Sequence, residues 1–84
     1  MTNGVLTHAE RAVLSVVNQR SSSIVGNNCH QEKFNTRVVA SLAIRGLVRR
    51  LDKVDILTMT ELGKQVLGAA KYNVLLGVYT YEVL

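Results

Sequence analysis

The chain has only 84 residues and a single cysteine, Cys29, so its fold must hold without an internal disulfide bond and around a small core. A chain of this length has room for one domain, which we expect to span residues 1–84. Apolar residues make up 48% of the sequence, which suits a packed domain and is too high for a disordered chain. The apolar stretches are short, which excludes a membrane-spanning helix, and the unpaired cysteine indicates a reducing, cytoplasmic compartment.

Positive charge is concentrated in the middle of the sequence. The whole chain has a net charge of +4, whereas the segment from Lys33 to Val54 carries +5, from six basic residues and Asp52. The rest of the chain is therefore slightly acidic. A local basic segment is typical of proteins that contact a phosphate backbone. A solvated basic face on a protein that binds no nucleic acid has the same composition, and charge alone does not separate the two.

The first third of the chain contains one strong helix signal. Thr7 and Glu10 have the spacing of a capping box, and the apolar residues that follow recur at helical spacing, which predicts a helix over residues 8–19. Residues 20–28 are rich in serine, glycine and asparagine and predict a loop, with a very short strand at its centre. Residues 29–34 then predict a short second helix.

A further helix is predicted over residues 36–45. Asn35 or Thr36 is a suitable N-cap, and the apolar residues that follow lie on one helix face. Gly46 suits the position after the helix, because glycine adopts the left-handed conformation without steric cost.

The remaining sequence predicts a hairpin, a helix and an extended arm. Residues 47–51 and 54–59 are both β-prone and are separated by a loop of two to four residues. Thr60 then caps a predicted helix over residues 61–72, in which Gly63 and Gly68 suggest either close packing or a short helix. Residues 73–84 are apolar and aromatic, and they predict an extended C-terminal arm that packs on the domain or on a second subunit.

In this order of elements the sequence resembles a winged helix-turn-helix domain of the MarR-like regulators. The resemblance rests on residues 38–48, which end in Arg45-Gly46-Leu47-Val48, and on residues 59–67, which begin Met59-Thr60-Glu61-Leu62-Gly63. The first is similar to the end of the recognition helix and the turn that opens the wing. The second is similar to the Leu-Thr-x-x-Gly start of the helix after the wing, with methionine in place of leucine. The resemblance covers roughly residues 7–70 and implies an α+β fold with a three-helix core and a short β-hairpin wing, to which the extended apolar C-terminal arm is added.

The resemblance implies a sequence-specific transcriptional regulator that binds double-stranded DNA. The helix at 36–45 would enter the major groove, where an arginine can bond guanine and an asparagine can bond adenine, while the basic hairpin would meet the phosphate backbone. The predicted DNA-binding residues are Asn35, Thr36, Arg37, Ala40, Ser41, Arg45, Arg49, Arg50 and Lys53. Ile44 is unusual on such a helix face, and it either packs under the hairpin or belongs to a protein interface.

The predicted arm is the candidate for self-association. The long dimerisation helices of the MarR-like regulators have no equivalent in this sequence, so a homodimer would need another surface, and tyrosines are common at interfaces. The predicted dimer or partner interface comprises Leu75, Val78, Tyr79, Tyr81 and Val83. Packing of the same residues on the chain's own core is an equal alternative.

The residue types argue against an enzyme and against a metal or other cofactor. Cys29, His30 and His8 form a poor zinc set, because adjacent ligands lack the usual spacing. No glycine-rich phosphate loop and no nucleophile with a base and an orienting carboxylate are recognisable. The competing function is a protein-interaction module of the same fold, such as a small inhibitor or adaptor of the transcription machinery. Acidic residues such as Glu32, Asp52 and Asp55 interleaved with the basic ones in space would indicate this protein-interaction function.

Overall fold

The protein has an α+β fold, as the sequence predicts. The structure is a computed structural model that describes residues 2–21, 29–30, 34–51, 53 and 56–83. Within these residues the elements are three helices and six strands, in the following order. They are β1 (Thr2–Leu6), α1 (His8–Ser21), β2 (Cys29–His30), α2 (Thr36–Ile44), β3 (Val48–Leu51), β4 (Ile56–Met59), α3 (Glu61–Ala69), β5 (Lys71–Asn73) and β6 (Val78–Val83).

The strands form two antiparallel three-stranded sheets. In the first, the strand order is β1-β6-β5, so that the two ends of the chain pair with each other, with Gly4 opposite Tyr81. In the second, the order is β2-β4-β3, and β3 and β4 form the hairpin that the sequence predicts. Strand β3 ends at Leu51 and β4 begins at Ile56.

The helix boundaries follow from local capping. In α1, Thr7 and Glu10 form the predicted capping box: the Glu10 amide donates to Thr7 Oγ1 over 3.1 Å, and the Thr7 amide donates to Glu10 Oε1 over 2.8 Å. In α3, Thr60 Oγ1 accepts a hydrogen bond from the Gly63 amide over 2.9 Å. The α1 helix continues two residues beyond the predicted end, to Ser21.

The core lies between the three helices and the two sheets. Its fully buried side chains come from every layer of the fold. They include Leu6, Leu14, Val17, Leu42, Leu47, Leu57 and Val66. Helix α1 packs against α2, α3 and strand β4, and is therefore the element around which the others assemble.

Two predicted helices differ from the structure. Cys29 and His30 are not helical, because they pair with Leu57 and Ile56 as strand β2. The rest of that predicted helix, except Phe34, and the predicted short strand before it lie outside the described residues. The predicted helix over 61–72 ends at Ala69, because residues 71–73 pair with β6 as strand β5.

The predicted C-terminal arm is a hairpin and not one extended strand. A turn over residues 74–77 separates β5 from β6, and Gly77 adopts a φ of 69°, which favours glycine. Strand β6 packs on the chain's own core through Tyr81, with Tyr79 and Val83 partly buried beside it. In the described residues, this part of the predicted arm therefore completes the domain itself.

Candidate nucleic-acid interface

Helix α2 is held at both ends by hydrogen bonds that its flanking residues determine. Asn35 is the N-cap, and its Oδ1 accepts from the amides of Arg37 over 2.9 Å and Val38 over 3.3 Å. At the other end Gly46 has a φ of 74°, and its amide donates to the Ala43 carbonyl, while the Leu47 amide donates to Leu42. The helix is therefore a short, well-terminated element of nine residues.

One face of α2 points away from the core. Val39 and Leu42 are buried on the opposite face, whereas Thr36 and Arg37 are exposed in the first turn. Ile44, seven residues and about two turns beyond Arg37 and therefore on the same side, is 87% exposed. Of the two alternatives for Ile44, packing under the hairpin is wrong, since a side chain with this exposure has almost no covering contact.

The hairpin supplies further cations. Arg49 and Arg50 are exposed on β3, and Lys53 is exposed in the loop that follows. Because successive residues of a strand point to opposite sides, Arg49 and Arg50 lie on the two faces of the hairpin. Neither α2 nor β3 contains an acidic residue. Glu32, Asp52 and Asp55, whose positions would favour a protein partner if interleaved here, lie outside the described residues.

Two of the predicted DNA-binding residues are instead tied into the domain. Ser41 Oγ donates to Glu10 Oε2 over 2.6 Å, and Arg45 Nη1 donates to the same oxygen over 3.2 Å in an ion pair. The second guanidinium nitrogen of Arg45 donates to Tyr81 Oη over 2.7 Å and to the Val5 carbonyl over 2.6 Å. Arg45 thereby joins the end of α2 to α1 and to the β1-β6-β5 sheet, named here the terminal sheet. These contacts engage its guanidinium group, so it is not part of the candidate interface.

Glu10 is the centre of this network, and only 9% of it is exposed. Burial alone would raise the pKa of its carboxyl group. The hydrogen bonds from Ser41 and Thr7 and the charge of Arg45 outweigh burial, and the pKa lies below its ordinary value. The capping-box spacing of Glu10 predicts its contact with Thr7 but does not show that the distant Arg45 shares its carboxylate.

The remaining predicted DNA-binding residues differ in how exposed and how free their side chains are. Ala40 is half-buried within the exposed face of α2. Asn35 is exposed, but its Oδ1 is engaged in capping, which leaves its amide group for another partner. The exposed side chains on the outward face of α2 and on both faces of the β3–β4 hairpin, together named the basic surface, are Thr36, Arg37, Arg49, Arg50 and Lys53.

Of the five residues predicted to form a dimer or partner interface, one is highly exposed. Leu75 is 97% exposed at the tip of the β5–β6 hairpin. Val78, Tyr79 and Val83 are half-buried and Tyr81 is buried. The exposed neighbours of Leu75 at the tip are Val74 and Leu76.

His8 lies in a cluster of aromatic rings on the terminal sheet. Its ring centroid is 5.2 Å from that of Tyr72 and 5.3 Å from that of Tyr79, and the Arg11 guanidinium lies 4.7 Å from the centre of the Tyr79 ring. These contacts give His8 a packing role. Among the described residues there is no group of three or more potential metal ligands, and no helix is long and apolar enough to cross a membrane.

Comparison with known proteins gives no relative: no family model, no curated protein and no solved structure matches this chain.

Proposed function

We propose that this protein is a winged-helix transcriptional regulator that binds double-stranded DNA through the basic surface. The observation that carries the proposal is the exposure of Arg37 on the outward face of α2, together with three exposed cations on the β3–β4 hairpin. A short helix with a free cationic face and a basic hairpin are the two parts by which winged-helix domains contact a duplex. The β2-β4-β3 sheet is compatible with that fold.

The two parts of the basic surface would have different roles. Arg37, in the first turn of α2, would read a base edge, and a bidentate bond to guanine is the specific contact that its guanidinium forms best. Arg49, Arg50 and Lys53 would contact phosphates, which adds affinity without sequence information. Binding at a promoter would then act by occlusion or recruitment and require no chemistry from the protein.

A homodimer forms part of the proposal. Helix α2 has nine residues and can contact only a few base pairs, and specific affinity usually comes from two half-sites bound by a symmetric dimer. We further propose a cytoplasmic location for such a regulator.

The first prediction concerns Arg37. After selection of a preferred site from random duplexes, Arg37→Ala is expected to weaken binding to that site by about 10–100-fold, because it removes a base contact, and to change binding to random duplexes by less than about threefold. Arg50→Ala is expected to weaken both by the same factor, since it removes a phosphate contact. Titrations of labelled duplexes, followed by fluorescence anisotropy, measure both.

Lys64→Ala is the matched control, because Lys64 is an exposed cation on α3 outside the basic surface. It is expected to leave both affinities within about twofold, in line with the small effect of a distant surface charge. An equal loss on selected and random duplexes in the Arg37→Ala protein would refute a reading role for α2.

A protein-interaction module is the second candidate function, and the exposure of Ile44 favours it. A large aliphatic side chain that is 87% exposed beside Arg37 is a typical protein contact. Two results together would support this candidate over DNA binding. The protein would bind no duplex at low salt, and the immobilised protein would retain a protein of the transcription machinery unless it carried Ile44→Asp.

A further inference from the structure

The tip of the β5–β6 hairpin presents three consecutive aliphatic side chains to solvent. Val74 is 80% exposed, Leu75 97% and Leu76 63%. The turn that carries them is fixed by Asn73, whose Oδ1 accepts from the Leu76 amide over 3.0 Å and whose carbonyl accepts from the Gly77 amide over 2.8 Å. These side chains therefore stay outward, and an exposed run of this kind indicates a contact with another molecule.

The strand next to this tip has a free edge. In the terminal sheet β5 is an outer strand, bonded to β6 on one side and to no described strand on the other. Lys71 is the single charged residue of this three-residue strand, and the unpaired backbone groups of an outer strand can bond with another strand. Three small residues precede β5 in the sequence: Gly68 and Ala69 at the end of α3 and its C-cap, Ala70.

We propose that two copies of this chain associate through their β5 edges, antiparallel and two-fold symmetric about Tyr72. In this register Tyr72 lies opposite the partner subunit's Tyr72. Lys71 lies opposite Asn73 and not opposite a second lysine, so that no like charges meet. The same symmetry places each aliphatic tip, residues 74–76, beside residues 68–70 of the other copy.

The two surfaces are complementary in size and polarity. Small residues at the end of α3 leave room for the large aliphatic side chains of the tip, and Ala69 and Ala70 are only half-buried within one chain. The contact involves about ten residues on each copy, fewer than the roughly 20–30 of a standard interface. We therefore expect a weak dimer, with a dissociation constant of about 10–100 μM. The contact lies outside the basic surface, so the association of two copies does not depend on DNA binding.

Sedimentation equilibrium between about 5 and 500 μM, a range that brackets this constant, tests the dimer. The full chain is expected to change from monomer to dimer across the range. Leu75→Asp is expected to raise the dissociation constant at least about tenfold, because it places a charge in the apolar contact. Ile44→Asp is the control, since Ile44 is also an almost fully exposed aliphatic residue but lies on α2. A chain that stays monomeric throughout, or a dimer that Ile44→Asp abolishes and Leu75→Asp leaves intact, would overturn the proposal.

A crosslinking experiment tests the register. Directly opposed residues of antiparallel strands lie about 4.5–5.5 Å apart between Cα atoms, within the range that a disulfide spans. In a chain carrying Cys29→Ser, the added change Tyr72→Cys is expected to give a disulfide-linked dimer on mild oxidation. Lys64→Cys in the same background, exposed on α3, is expected to remain monomeric. Equal crosslinking of the two variants would contradict the two-fold contact at Tyr72.

Discussion

Gly63→Ala is expected to destabilise the domain by about 3 kcal/mol or more, a large part of the stability of a domain this small. Gly63 is buried in the first turn of α3, where the helix crosses the segment that leads into β3. A Cβ atom at this position would collide with the Leu47 carbonyl oxygen and lie 2.9 Å from its carbonyl carbon. Because backbone blocks the space, the helix itself must move. Urea denaturation followed by circular dichroism measures the loss.

Gly68→Ala in the same helix is the control and should have the opposite sign. A Cβ atom at Gly68 meets nothing within 4 Å, and the position is exposed. The alanine is expected to stabilise the protein by up to about 1 kcal/mol through its higher helix propensity. If the two variants had the same unfolding midpoint, the close approach of α3 to Leu47 would be wrong.

Glu10→Gln is expected to cost about 2–3 kcal/mol at pH 7, because it removes one partner of a largely buried ion pair. The carboxylate accepts from Ser41 and pairs with Arg45, which in turn holds Tyr81 and the Val5 carbonyl. A neutral amide leaves the guanidinium without its counter-charge. The measurement is the free energy of unfolding of the two proteins from urea denaturation.

The pH dependence of this difference follows from the lowered pKa of Glu10. A carboxyl group whose pKa is lower in the folded than in the unfolded protein contributes stability above its unfolded pKa and loses it as pH falls through the folded pKa. The difference in free energy of unfolding between wild type and Glu10→Gln should therefore be largest at neutral pH and decrease progressively below about pH 4.3. Glu82→Gln, at an exposed glutamate on β6, is the control and should have little effect at any pH. A gap that is constant down to pH 2 would contradict the charged network.

Local signals made the starts of the three main helices and the end of α2 predictable. Asn35 and Thr60 cap their helices as the sequence indicates, and Gly46 adopts the left-handed conformation just after the C-cap of α2. The glycines of α3 suggested either close packing or a short helix: Gly63 is closely packed, whereas nothing lies within 4 Å of a Cβ atom at Gly68 and the helix ends one residue later, at Ala69. A sequence does not show which face of a helix another backbone will cross.

Pairing between distant segments was not predictable from local patterns. Strand β1 has a polar, glycine-containing sequence and is ordered by β6, which lies more than 70 residues away. Residues 71–72, predicted as the end of a helix, form a strand because β6 offers backbone partners there. The candidate site shows the same limit: Arg37 and Arg45 look equivalent in the sequence, yet Glu10 engages only Arg45.

The salt dependence of duplex binding tests the central claim most directly. The three cations of the hairpin, Arg49, Arg50 and Lys53, would each neutralise a phosphate on random-sequence DNA, whereas Arg37 would contact a base edge of the selected site. Anisotropy titrations of a labelled random duplex between about 50 and 300 mM NaCl should therefore give a log–log slope near −3, reduced in magnitude by about one in Arg50→Ala and unchanged in Arg37→Ala. A slope near zero, or no binding at about 50 mM NaCl, would contradict a DNA-binding function.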